Sequence, residues 1–553
     1  MVVGDINRIE LSLSSFERMI TEGNLYVDKT RLIEHFLSGA GAVQLVARQR
    51  RLGKSLNMDM LRCFLTDRVD FRHLFKGLYI ESHPVWEKAN SAPVFYFDFK
   101  ELTAETYQEQ IIDKMVEYVC SFTAPNKLEF SLKRKFDQLV DTPKRAGESL
   151  RFLTEMAYNL TGKRAYLLID EYDKLLMENY DSAKYEEIKT FETTLLSSAL
   201  KGNHCLEKAL LTGVTRVSHE SLLSGLNNVV TFDVFNDELY TADYGLTDDE
   251  MIELSHLTNI DIDKAREWYN GIRIGGHAIY NIYSVMSHLS RKDKRYSCFW
   301  GQSGTMDVIA RMLNDNRKTI FAKLLNGEDA EVAMSTRISL KDLSNGASDN
   351  TFYSLLVQSG YLALNKMVPG KPSSAIVTIP NAELMMVWRE FILDKLYSNA
   401  PQIMTLFDNA EDMGLFSRDL EYFLSDRLSY HDLAVYNQEN KLQTHERVYH
   451  VFLLGILSAY EDARFMYALS NRESGDGRYD ILVERATANY IFEVKSCDTG
   501  DDLESHAKKA LAQIDSKRYG ADFDKGKRLV KIGIAICGKR CRVKCDALHS
   551  ALA

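Results

Sequence analysis

Two groups of residues in this 553-residue chain combine types and spacings that could do chemistry, one in each half. The first follows the short apolar run Val43–Ala47. Arg48-Gln-Arg-Arg51-Leu-Gly53-Lys54-Ser55 comes next, and then Leu56, Met60, Leu61, Phe64 and Leu65 recur at helical spacing. A strand, a loop, Gly-Lys-Ser and a helix form the setting of a phosphate cradle, where backbone N–H groups and the helix N-terminus hold anions. In that setting Lys54 reaches the β- and γ-phosphates of ATP and the Ser55 hydroxyl ligates Mg²⁺. Arg51, Gly53 and Leu56 complete the expected nucleotide-binding stretch, and Arg48 stands where the leading glycine of such a loop belongs.

A second run, Tyr166–Ile169, has the continuous apolarity of a strand buried in a parallel sheet, and it ends in Asp170-Glu171. Strand carboxyl ends are where open α/β sheets place their chemistry. Asp170 is expected in the Mg²⁺ shell, and Glu171 as the general base that polarises the attacking water. A third run, Ala209–Val214, ends in Thr215-Arg216. Thr215 is placed to sense the γ-phosphate. Arg216 either acts on transition-state charge, in its own subunit or in a neighbour, or merely caps the strand.

The second group lies near the C-terminus. Arg478–Glu484 and Asn489–Lys495 read as strands joined by Arg-Ala-Thr-Ala. A hairpin closed by that link sets Glu484 opposite Asn489 and, in the same register, Asp480 opposite Glu493. Opposed side chains have Cβ atoms about 4.5–5.5 Å apart, and carboxylates that close repel unless a divalent cation lies between them. Lys495 projects from the same strand face as Glu493. Two metal-binding acids beside an ammonium suit metal-assisted phosphodiester cleavage, with Lys495 orienting water and offsetting developing charge. From Ala507 to Cys545 there are twelve Lys and Arg against three Asp, a local excess that suits a nucleic-acid backbone although the chain's net charge is −10.

The supporting elements must fill three or four domains at about 100–200 residues each. The apolar runs are strand-length, far short of a membrane span, and neither a signal peptide nor a disulfide framework is legible, so a cytoplasmic chain is expected. Asp248 to Trp268 reads as helical, with Gly245-Leu-Thr247 as a break and N-cap before it. Two apparent metal motifs fail. His445-Glu446-Arg-Val-Tyr-His450 spaces its histidines by five, off one helical face, and Cys537, Cys541 and Cys545 lack the paired spacing of a zinc site.

Ser15-Phe16, Tyr26–Thr30, Arg48–Ser55, Leu168–Asp173, Leu211–Ser218, Trp268–Gly271 and Tyr280-Asn281 together resemble the bacterial AAA-ATPase-like family, in which an Arg-rich phosphate loop lacking its leading glycine is usual. The resemblance extends over much of the chain, and in this family a PD-(D/E)XK nuclease-like domain often closes the sequence. It implies that Tyr26–Thr30 lies near the nucleotide. It also implies Glu446, on a helix before the nuclease core, as a further acid, and Gln513 with Tyr519, on a later helix, as an auxiliary pair. The expected architecture is α/β: a P-loop parallel-sheet ATPase core over 1–245, a helical lid over 246–300, a mixed connector over 301–425 and a PD-(D/E)XK-like α/β domain over 426–553. The expected function is ATP binding and hydrolysis controlling a Mg²⁺-dependent nuclease that acts on DNA rather than RNA. The alternative is an ATP-driven switch whose C-terminal domain binds nucleic acid or a protein partner without cleaving. An arginine finger supplied in trans would require a homo-oligomer; no membrane partner is expected.

Overall fold

β-Rich apolar runs separated by amphipathic helices build a parallel sheet in the first half of the chain. In the computed structural model its strands are β1 (Val43–Ala47), β2 (Val94–Asp98), β3 (Ala165–Asp170), β4 (Leu206–Gly213) and β5 (Val229–Phe232). The structure describes residues 1–216, 228–300, most of 314–396, 413–427 and most of 465–548. The strand order is β2-β3-β4-β1-β5, with every pairing parallel. β1 and β3 are buried along their whole length, as strands covered by helices on both faces must be. This order puts β4 between the strand that leads into Gly53-Lys54-Ser55 and the strand that ends at Asp170.

Helix α1 (Lys54–Leu65) starts directly after Gly53 and buries Met58, Leu61, Phe64 and Leu65. α2 (Tyr185–Leu200) packs Ile188, Leu195 and Leu196 inward, and with them Glu192. Glu192 is fully buried, and neither of its carboxylate oxygens has a hydrogen-bond partner. Burial pushes its carboxyl well above the ordinary range, and repulsion from Asp173 adds to this. The folded chain therefore keeps a proton there that the unfolded chain releases above about pH 4.3. The stability contributed by that group is complete below the unfolded value and is lost as pH rises toward the raised folded value. Glu192→Met is expected to stabilise the protein by about 1–3 kcal/mol near neutrality, with a gain that shrinks toward pH 4. Urea melts across that range check it, and a gain independent of pH would contradict it.

The stretch Asp248 to Trp268 is not one helix. It forms α3 (Asp248–Thr258) and α4 (Ile262–Tyr269), because Asn259 adopts a left-handed conformation (φ 55°) that closes α3 and Asp261 caps α4 through its side chain. The expected cap is present: Thr247 and Glu250 form a reciprocal capping box. α5 (Ile282–Ser290) follows, capped by Asn281. Residues 331–382, inside the expected connector, group with the first unit, which comprises 1–299 and 331–382. This segment includes α6 (Asp349–Gln358), buried through most of its length.

The second unit comprises 300–330 and 383–553. Its sheet has the order β6-β7-β8-β9-β10, from β6 (Phe465–Ser470), β7 (Ile481–Arg485), β8 (Ala488–Ser496), β9 (Arg528–Cys537) and β10 (Arg540–Leu548). β8 and β9 are parallel and the other neighbours antiparallel. α7 (Leu503–Ser516) makes the crossover between the parallel pair and buries Ala507, Ala510 and Ile514. The β7–β8 register is the expected one, running from Ile481 opposite Phe492 to Glu484 opposite Asn489. Among the described residues no helix is long and apolar enough to cross a membrane.

Candidate functional site

The phosphate loop turns through left-handed conformations at Arg51 (φ 64°) and Gly53 (φ 88°), which brings the chain onto the N-terminus of α1. Lys54 folds back across this loop. Its Nζ donates to the carbonyls of Arg48 (3.3 Å) and Gln49 (3.2 Å) and lies 3.6 Å from Glu171 Oε1. Ser55 Oγ donates to Asp170 Oδ2 at 2.6 Å, across the gap between α1 and the end of β3. Asp170 is fully buried and also accepts from the Glu171 N–H (3.0 Å) and the Thr212 hydroxyl.

Burial raises the Asp170 carboxyl above its ordinary range, and Glu171 adds repulsion; Lys54 and the two hydroxyls act in the opposite direction. A buried carboxylate touching a serine hydroxyl is a pair of hard oxygen donors of the kind Mg²⁺ takes. The donor set fits the ion, for which Ser55 and Asp170 would be the protein ligands. A cavity of about 360 Å³ opens beside them, lined by Arg51, Gly53, Lys54, Ser55, Leu56 and Glu171. Ile9 to Ser14, Ile282, Tyr283 and Met286 form its more apolar wall.

Arg48 has a structural part. Its guanidinium is fully buried, ion-paired with Asp237 and 5.3 Å over the Tyr244 ring. Burial lowers it to about 10, still protonated at neutral pH. Lys29, from the Tyr26–Thr30 segment, is buried as well. Its Nζ is 2.6 Å from both Glu250 oxygens and 2.9 Å from Ala242 O, so it ties this segment to the capping box of α3 while lining the cavity.

In the second unit Glu493 points into the interior with 2 % exposure. Lys495 Nζ is 2.8 Å from Glu493 Oε1, and Gln513 Nε2 on α7 donates to the same oxygen. Asp480 lies one residue outside the recorded β7–β8 ladder, so it does not pair with Glu493 within it. Its Oδ2 accepts from the Val494 N–H at 2.7 Å, beside Glu493 on β8. Burial raises the Asp480 carboxyl, against the pull of that N–H and of Lys495. A buried acid, a half-buried acid, an ammonium and an amide converge on the C-terminal half of β8. The donor set is all hard oxygen and fits a divalent cation held by Asp480 and Glu493.

Two family models match the chain. Residues 10–223 match the family described as predicted AAA-ATPase, and residues 444–545 match the PD-(D/E)XK nuclease superfamily. The chain pairs an AAA-ATPase-like domain with a PD-(D/E)XK nuclease-superfamily domain. A curated relative, an uncharacterized protein in the vnfD 5′ region of Azotobacter chroococcum, is 25 % identical over 548 residues, 93 % of either chain. Among solved structures, a Walker-type ATPase of Pyrococcus abyssi is 15 % identical with a TM-score of 0.32, covering 65 % of this chain and 94 % of that one.

Within the ATPase-like domain the structure brings together Lys54, Ser55, Asp170 and Glu171. Arg51 also lines the cavity, whereas Arg216 does not. Arg51 lies 4.4 Å over the Tyr283 ring and donates to Phe299 O. Arg216 pairs with buried Asp233 at 2.9 Å. Thr215 is buried, and its hydroxyl proton goes to Asp173. Within the nuclease-superfamily domain Glu493, Lys495 and Gln513 are in contact. Tyr519 falls in the turn after α7 rather than on the helix; it packs with Tyr479 and Ile514, and its side chain hydrogen-bonds Gln513, so the expected pair is in contact. Glu446 lies outside the described residues, as do His445 and His450. Sequence reasoning missed Thr212, Asp173, Asp237 and Glu250. Asp173 carried a local signal as the last residue of Asp170-Glu-Tyr-Asp173, and Glu250 carried one as the third residue after the N-cap Thr247.

Proposed function

We propose that the protein binds and hydrolyses ATP at Lys54, Ser55, Asp170 and Glu171, and that this controls a Mg²⁺-dependent DNA-cleaving centre at Asp480, Glu493, Lys495 and Gln513. The observation that carries the first part is the Ser55–Asp170 contact beside the Lys54–Glu171 pair. In ATP hydrolysis Lys54 leaves its loop carbonyls for the phosphate oxygens, and Glu171 takes a proton from the attacking water. In cleavage Lys495 orients the water and offsets charge on the scissile phosphate, while Gln513 fixes the Glu493 carboxylate. Bound Mg²⁺ supplies Lewis-acid polarisation at both centres.

Lys508, Lys509 and Lys517 are exposed on and just after the helix that carries Gln513, which supports a nucleic-acid backbone as the ligand. Control by ATP is supported by the chain that follows β4. The Arg216 N–H donates to Gln358 Oε1 at 2.7 Å, and Ile338 N–H donates to Arg216 O at 3.3 Å. Both partners belong to the 331–382 segment, whose two ends continue into the second unit. The absence of a membrane-spanning helix among the described residues is consistent with action in the cytoplasm.

Glu171→Gln tests the hydrolytic assignment. It is expected to lower ATP turnover about 10²–10⁴-fold while ATP still binds. Turnover close to that of the unaltered protein would remove Glu171 from its role.

A further inference from the structure

Glu171 has a φ of 53°, in the left-handed region that disfavours side chains. Such a conformation is costly and persists only where its surroundings over-determine it. Here the surroundings are supplied by the next two residues and the end of β4. The Tyr172 N–H donates to Thr212 O at 3.0 Å, and the Tyr172 hydroxyl donates to Thr215 O at 2.9 Å. The Asp173 carboxylate, 2 % exposed, accepts from the Val214 N–H (3.2 Å), the Thr215 N–H (2.7 Å) and the Thr215 hydroxyl (2.6 Å), all at Oδ2. Gly213 makes this approach possible, because a Cβ there would overlap both the Asp173 carboxylate and the Tyr172 ring.

Asp173 is not among the residues that line the cavity, whereas Glu171 is. The Thr215 hydroxyl has one proton, and Asp173 takes it, so Thr215 serves this clamp rather than donating to a phosphate. We infer that Asp173 is a positioning residue for ATP hydrolysis: by gripping Val214 and Thr215 it holds the strained turn that aims the Glu171 carboxylate at Lys54 and the cavity. The inference rests on the ATPase reading above. A base displaced by about 1 Å loses on the order of 10²-fold in rate while ground-state contacts to the nucleotide survive.

The test uses the full chain and four forms: unaltered, Asp173→Asn, Glu171→Gln and the double variant. ATP affinity, kcat, KM and melting temperature are measured for each. Asp173→Asn is expected to bind ATP within about threefold of the unaltered protein and to lose on the order of 10²-fold in kcat. The double variant is expected to be no slower than Glu171→Gln alone, because Asp173 acts through Glu171. A kcat close to the unaltered value overturns the inference. So do losses that multiply in the double variant, or a fall in affinity and melting temperature that accounts for the lost rate. If Asp173→Asn does not fold, Thr215→Val is expected to lower kcat with ATP affinity kept, and Thr215→Ser to recover most of that loss; an unimpaired Thr215→Val overturns the inference. Lys54→Ala is the control that separates the two claims. An unaltered protein without Lys54-dependent turnover removes the ATPase reading and this inference with it, whereas failure of the Asp173 and Thr215 variants alone removes only this one.

Discussion

Lys54→Ala is expected to weaken ATP binding by on the order of a hundredfold or more and to abolish turnover, leaving the fold intact. The ammonium already sits at the mouth of the phosphate loop, satisfied by two loop carbonyls and facing Glu171. Exchanging neutral carbonyls for anionic phosphate oxygens makes charge-assisted hydrogen bonds, worth about 1.5–3 kcal/mol each. Two such bonds account for the expected loss. Alanine suits the first turn of α1, so the helix is expected to keep its form. A nucleotide titration by calorimetry, beside a thermal melt, checks this. Unchanged affinity for ATP would mean that the cavity is not the nucleotide site.

Glu493→Gln should act on the other domain alone. The substitution keeps the volume and the hydrogen-bonding capacity toward Gln513 but removes the charge that Lys495 faces and that a divalent cation requires. Metal-dependent cleavage is expected to fall by at least about 10²–10³-fold, the scale on which single electrostatic contributors act. ATP affinity is expected to stay as it was, because Glu493 and the phosphate loop lie in separate units. Lys495 is partly exposed, so its ammonium can turn to water and the fold should tolerate the change. Gel-based cleavage with and without Mg²⁺ reads the effect. Cleavage at the unaltered rate would mean that the catalytic acid lies elsewhere.

Much of the fold was legible because its key strands are continuous apolar runs. Val43–Ala47 was recognisable to the residue, and Asp170-Glu171 stands at the end of its strand as expected. The β7–β8 register followed from the length of the link between the two strands, since a hairpin leaves little freedom once its loop is set. What stayed hidden depends on partners distant in sequence. The counter-ion of Arg48 is Asp237, 189 residues away, so nothing local shows that this arginine is a core ion pair rather than a phosphate ligand. The same holds for Lys29 and Glu250 and for Arg216 and Asp233. The break between α3 and α4 was masked by an apolar pattern that runs through it, although Asn259 and Asp261 are the residues that make it. Tyr519 was placed on a helix because its spacing from Gln513 ignores the turn that ends α7 at Ser516.

The most direct measurement is cleavage of DNA by the purified full-length protein with Mg²⁺, with and without ATP, beside Glu493→Gln and Lys54→Ala. The expected result is Mg²⁺-dependent cleavage that responds to ATP, is lost in Glu493→Gln, and no longer responds to ATP in Lys54→Ala. Salt-sensitive DNA binding without cleavage under any of these conditions, with ATP still bound, would contradict the account and leave a nucleotide-driven binding switch.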